Sequence, residues 1–147
     1  MIANKLEFNL PYPPSVNQIH TVARGRIVLS SVARRYYKNV KNVLRESGLL
    51  PSPFNGERLS VIVLTHQPDK RRRDIQNLPK ILLDSITKKH EKKILRDALS
   101  ETGIWNDDEQ IDDFRIIRGD LSRNDAYVEI KIKVFNNDEV IKEWSEF

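Results

Sequence analysis

The sequence predicts an α/β (α+β) domain: a small mixed β-sheet of about four strands packed with two to three helices. Three observations carry that expectation. Residues 126–135 alternate cleanly, with Ala126, Val128, Ile130, Ile132 and Val134 facing one way and Tyr127, Glu129, Lys131 and Lys133 the other, which is the period of a half-buried strand. Residues 59–65 (LSVIVLT) are apolar on both faces, which places them centrally in a sheet. Val32, Tyr36, Val40, Val43 and Leu44 recur at helical spacing. A chain of 147 residues with 39% apolar and 31% charged side chains fits a single core. Residues 1–135 are expected to form one domain and residues 136–147 a C-terminal tail, a frayed or short docked helix.

Taken in order, Leu6, Phe8 and Leu10 alternate with polar residues and predict a first strand. It stops at Pro11-Tyr12-Pro13-Pro14, which cannot continue a ladder. Arg24-Gly25 reads as the turn of a small hairpin between about Ile19 and Leu29. Ser30 or Ser31 is the N-cap of the first helix, which Gly48 ends. Arg34, Arg35, Lys38, Lys41 and Arg45 accompany that helix, so one face packs while the rest is free to meet phosphates. After the connector Pro51, Pro53 and Gly56 comes the central strand. A second helix opens near Asn77 as N-cap, with Pro79 tolerated in its first turn and Ile81, Leu82 and Ile86 as its buried stripe. Residues 88–93 (KKHEKK) read as a solvated stretch; Ile94, Leu95, Ala98 and Leu99 resume a helical pattern that Gly103 stops. Two closing strands follow, residues 110–118 with Phe114 and Ile116 on one face, and residues 126–135. The loop between them predicts an antiparallel pair.

Composition narrows the function classes. There are no cysteines, which excludes disulfides, thiol nucleophiles and cysteine-ligated metals. His20, His66 and His90 lie too far apart for a helix-borne metal motif. No apolar run approaches the roughly 18 residues of a membrane span, and the N-terminus lacks a signal peptide's apolar region. No membrane partner is therefore expected, and a reducing cytoplasm is permitted. The net charge is only +4, at a pI near 9.4, but it is unevenly distributed. Residues 1–50 have a local balance of +6, and residues 97–113 carry seven acids and no base. Basic clustering is the footprint of a polyanion binder, and an acidic patch inside it points to a cation held against phosphate.

Two segments carry candidate chemistry. Lys70, Arg71, Arg72 and Arg73, flanked by Asp69 and Asp74, fall where a strand ends and a helix begins, and helix N-termini attract anions. Taken alone, a solvated charge run with a capping acid is the favoured reading. Asp107-Asp108-Glu109, just after Trp105-Asn106, supplies the hard oxygen ligands that Mg²⁺ takes alongside water and phosphate. Taken alone, an ordinary acidic turn is the favoured reading.

Together with the N-terminus, these segments resemble a known family. Leu10-Pro11-Tyr12-Pro13-Pro14-Ser15-Val16-Asn17 is similar to the LPxPPSxN opening of the RusA crossover-junction endodeoxyribonucleases. Arg71 to Lys80 (RRRDIQNLPK) resembles that family's RRRDxDNLxK segment, and Gly103 to Asp108 (GIWNDD) its GxWxDD segment. Order and spacing hold over nearly the whole chain. The resemblance implies a RusA-like fold and a bacterial or phage-encoded homodimer that resolves four-way (Holliday) DNA junctions by paired, Mg²⁺-dependent nicks, with Mn²⁺ as a substitute. It assigns catalysis to Asp74, Lys80 and Asp108, and metal binding to Asp74, Gln76 and Asp108. DNA contacts are expected from Lys70, Arg71, Arg72, Arg73 and Asn77, and from Arg34, Arg35 and Lys38 on the first helix. Asp84, Asp107 and Asp113 also fall on acidic positions of the family.

Two departures stand out. Gln76 occupies the position of a second aspartate, so the site lacks one negative charge. Weaker metal binding and slower cleavage are expected unless Glu109 or Asp107 swings in. A protein that binds junctions or other nucleic acid without cutting is the alternative. The chain is also longer than the short form of the family between Thr87 and Thr102, a stretch read as a solvated helix with Ile94, Leu95 and Leu99 packed inward.

Overall fold

The structure, a computed structural model, describes residues 5–88 and 102–147. The elements, in chain order, are β1 (Lys5–Pro11), β2 (His20–Ala23), β3 (Arg26–Leu29), α1 (Ser31–Glu46), β4 (Leu59–His66), α2 (Pro79–Ile86), β5 (Ile111–Arg118), β6 (Tyr127–Val134) and α3 (Asn137–Glu146). Short 3₁₀ turns at Val16–Gln18, Ile75–Asn77 and Asp108–Gln110 join them. The result is the α+β fold the sequence predicts, with a mixed four-stranded sheet, a separate two-stranded hairpin and three helices among the described residues.

The main sheet has the order β1-β6-β4-β5. β4 is central, antiparallel to β6 and parallel to β5, in keeping with its apolar residues on both faces. Leu59, Val61 and Val63 point to the core, where they meet Val128, Ile130 and Ile132 of β6. Tyr36, Val40 and Leu44 of α1 and Ile81, Leu82 and Ile86 of α2 cover that face. Each such fully buried aliphatic side chain contributes about 1.5–3 kcal/mol.

The expected pairing of the last two strands is corrected. They run antiparallel, but β4 lies between them. The β4–α2–β5 crossover lays β5 parallel along the outer side of β4, so the β5–β6 loop must cross over β4 rather than close a hairpin.

Local chemistry explains the helix starts. Ser30 caps α1, accepting from the Ala33 N–H at 3.1 Å, while its hydroxyl donates to the Gln18 carbonyl. Gly48 ends that helix at φ 71°, the left-handed conformation glycine adopts without steric cost. The expected Asn77 cap of α2 is corrected: Asp74 caps a preceding 3₁₀ turn, and α2 itself has no side-chain cap. The chain first makes the Ile75–Asn77 turn, capped by Asp74 through the Gln76 N–H at 2.9 Å. α2 then starts at Pro79 with no side-chain cap, which leaves the Asn77 side chain exposed.

Two lysines differ from expectation. Lys41 belongs to the packed face of α1, 5% exposed, and donates to the Thr87 carbonyl at 2.6 Å. Lys88, expected in a solvated stretch, is 7% exposed, and its backbone N–H donates to the Trp105 carbonyl. The helical pattern of Ile94, Leu95, Ala98 and Leu99 lies outside the described residues. Within residues 136–147, Asn137–Glu146 form α3, capped by Asn136 and tied to the sheet by Lys133–Glu139 and Arg115–Glu143 ion pairs. No described helix is long and apolar enough to cross a membrane.

Candidate active site and nucleic-acid interface

Beyond the end of β4 the chain turns through the basic loop. Asp69 organises it, accepting from the Arg71 N–H at 2.9 Å and pairing with Arg73 at 2.6 Å. Those two donors hold the Asp69 carboxyl down at about 2. Lys70, Arg71 and Arg72 remain exposed, and Arg73 is half-buried against Asp69. Arg118, at the end of β5, donates to the Arg73 carbonyl. The proline-rich segment faces this loop across a cleft of about 570 Å³. Tyr12, Ser15, Asn17 and Gln18 line one side of it, and Arg71 to Asp74 with Asn77 the other. The Tyr12 hydroxyl is buried with no hydrogen-bond partner among the described residues. Burial pushes its pKa up, while Arg73 and Arg118 pull it down. A cleft lined by Arg71, Arg72 and Arg73 is suited to phosphate oxygens.

The acidic loop is anchored at the other end of α2. Trp105, fully buried, donates from Nε1 to Thr87 Oγ1 at 2.8 Å, and the Ile104 N–H donates to the Ile86 carbonyl. Asp107 caps the Asp108–Gln110 turn. Buried Gln110 accepts from the Asn106 N–H at 2.7 Å and donates to the Asn55 and Glu57 carbonyls. Arg58 closes the loop from outside, bonded to Glu109 and Asp112. Two carboxyls are thereby held side by side. Asp107 bonds to Asp108 and raises its pKa, with burial and the negative charges of Asp107 and Asp84 adding to the effect. Asp84, one turn along α2 from Lys80, is raised by partial burial and lowered by Lys80.

These placements show which candidates come together. Asp107, Asp108, Asp84 and Lys80 form an electrostatically linked line. Asp74 and Gln76 lie at the start of α2, where the Asp74 carboxylate faces its own turn. Among the described residues, no three histidine or acidic side chains lie close enough together to hold one metal ion. Glu109 is committed to Arg58, and Asp113 to Arg115. Arg34, Arg35 and Lys38 are exposed on α1.

No family model matches the chain. Individual proteins do. A crossover junction endodeoxyribonuclease rusA of Enterobacteria phage HK97 is 37% identical over 116 residues, 79% of this chain and 84% of that one. The protein of the same name from Enterobacteria phage 82 is 30% identical over 138 residues, 92% of this chain and 99% of that one. The chain belongs to the RusA family. A further member, crossover junction endodeoxyribonuclease RusA of Escherichia coli strain K12, is 29% identical over the same share.

As a RusA family member, the chain brings two of its three motif segments face to face. The LPxPPSxN-like segment and the RRRD-like run form the two walls of the cleft, and the GxWxDD-like run packs on the far end of α2. Sequence reasoning missed Arg58, Gln110, Tyr12 and Arg118 as site components. Each acts through a contact more than 40 residues away in sequence, a relation no local spacing encodes.

Proposed function

We propose that the protein is a structure-selective endonuclease that resolves four-way DNA junctions, acting as a homodimer in the bacterial cytoplasm. The likeness to rusA proteins over nearly the whole chain carries this reading; the basic cleft and the paired carboxyls support it. Residues 1–135 are read as the nuclease domain and residues 136–147 as its appended helix.

The donor set fits a hard divalent cation, Mg²⁺ with Mn²⁺ as a substitute. Such ions take one or two carboxylates and complete their shell with water and phosphate, and a cation would relieve the repulsion between Asp107 and Asp108. Asp108 with Asp107 would hold it from the acidic loop; Asp74 and Gln76, at the start of α2, do not converge with that pair on one ion among the described residues, and would act on the water or phosphate that completes its shell. Bound there, it would supply Lewis-acid polarisation of the scissile phosphate. Lys80 neutralises charge that develops on that phosphate. Arg71, Arg72, Arg73, Lys70 and Asn77 grip the flanking backbone, and Arg34, Arg35 and Lys38 extend the basic surface.

The test is incubation with an immobile four-way junction and Mg²⁺, with linear duplex and a Gln76→Asp variant in parallel. Paired nicks by the unaltered chain support the reading, and Asp108→Asn should abolish them while junction binding persists. A second reading, a junction binder that does not cut, is favoured by Gln76 alone. It predicts nicks only from the Gln76→Asp variant. Failure of both proteins to prefer junctions over duplex sinks both readings.

A further inference from the structure

The β2–β3 hairpin stands apart from the rest of the fold. It forms its own two-stranded sheet, with no third strand among the described residues. Isolated two-stranded ribbons are marginal in water, and this one is held only at its base. There Ile19 is buried, Leu29 packs against the core, and Ser30 bonds to both Gln18 and Ile19. Further out, Val22 and Ile27 are directly opposed across the ladder, so both side chains lie on one face. They are 72% and 78% exposed. A folded chain gains nothing from presenting an aliphatic pair to water, so the pair has a use outside the fold.

Its surroundings identify the occupant. The tip is Arg24-Gly25, both at positive φ in the tight reversal that two-residue hairpins require, and Arg26 follows. No acidic residue occurs between Glu7 and Glu46, so the hairpin and α1 form one uninterrupted basic stretch. A second copy of the same surface would be repelled by that charge, whereas a polyanion is attracted. The hairpin also springs from Gln18, which lines the cleft between the proline-rich segment and the basic loop. Proteins that kink nucleic acid set an aliphatic wedge between base steps while cations hold the phosphates on either side.

We propose that this hairpin is the branch-point wedge of the protein: Val22 and Ile27 stack on base pairs at the junction centre, and Arg24 and Arg26 clamp the phosphates that flank it. The inference rests on the reading of the protein as a junction endonuclease and names the element that selects the branched structure. At a branch point the terminal base pairs already lack a continuous stack, so insertion costs less there than in duplex. An apolar wedge thus converts branch geometry into binding preference without reading sequence.

The experiment compares the full chain with a Val22→Ser/Ile27→Ser double variant and a Val22→Leu/Ile27→Leu control. Junctions carry 2-aminopurine at the branch point, with linear duplex in parallel at the same salt. Because both residues are exposed, the serine variant should melt like the unaltered protein. Duplex affinity should stay within twofold, while junction preference over duplex falls at least tenfold and the 2-aminopurine rise on binding disappears. The leucine control should retain both. Unchanged junction preference and fluorescence in the serine variant overturn the wedge, as does conversion of a dimer to a monomer by light scattering, which would make the pair a subunit contact. If the unaltered chain itself shows no preference for junctions, the functional reading fails first and takes the wedge with it.

Discussion

His66 is fastened at both ring nitrogens to acceptors: Nδ1 lies 2.7 Å from the Asp120 carbonyl and Nε2 2.6 Å from a Glu129 carboxylate oxygen. The ring also stacks on Tyr127 at 4.5 Å. Only the doubly protonated imidazole can donate to both, so Glu129 in the first place raises its pKa above the ordinary 6.5. A raised pKa means that the stabilisation is complete below pH 6.5 and is lost as pH rises through the higher folded value. An NMR titration of His66 should give a midpoint above 6.5, and the melting-temperature gap between wild type and His66→Gln should shrink as pH rises toward 9. Gly103 makes a second single-residue prediction. A Cβ there would collide with the backbone of Ile86, Thr87 and Lys88, so Gly103→Ala should destabilise the fold by about 1–3 kcal/mol in urea unfolding. At this scale Asp74, Lys80 and Asp108 are legible through the segments that resemble the RusA motifs. The sequence could not expose Arg58 or Tyr12, whose partners are brought to them by the fold.

Elements fold for reasons that single substitutions can probe. Ser30 both caps α1 and ties it to the base of the hairpin. Ser30→Ala should therefore cost about 1–2 kcal/mol in chemical denaturation. Arg58 behaves differently. It is exposed and clamps the acidic loop through Glu109 and Asp112, so Arg58→Ala should barely move the unfolding midpoint yet slow cleavage and raise the Mg²⁺ concentration needed for it. Equal losses in stability and cleavage would show that the clamp only holds the fold. Strand and helix identities were readable because each has its own hydrophobic period. The neighbour of β5 was not, because adjacency depends on the route of the β4–α2–β5 crossover. Asn77 reads as the α2 cap because the 3₁₀ turn that precedes the helix, itself capped by Asp74, has no sequence period of its own.

The whole molecule presents an acid-poor basic surface to its partner, and its binding should be governed by phosphate neutralisation. If six or more phosphates are contacted, junction affinity should fall by roughly 10³-fold or more between 50 and 200 mM salt. Replacing Arg71 or Arg72 by alanine should lower the log–log slope by about one each. Light scattering should give twice the 17.2 kDa chain mass; a monomer at working concentration would contradict the dimer. The sheet order has a further consequence, for biosynthesis. β6 is flanked by β1 on one side and β4 on the other, so two neighbours made much earlier wait for one late strand. While the ribosome is still translating residues 5–126, β1 has no ladder to join, and β4 lacks a partner along one side. Nuclease competence is thus withheld from every nascent chain until about residue 134 has cleared the exit tunnel. Closure then comes through long-range pairing, which is slow, and partial products lack the closed four-stranded sheet.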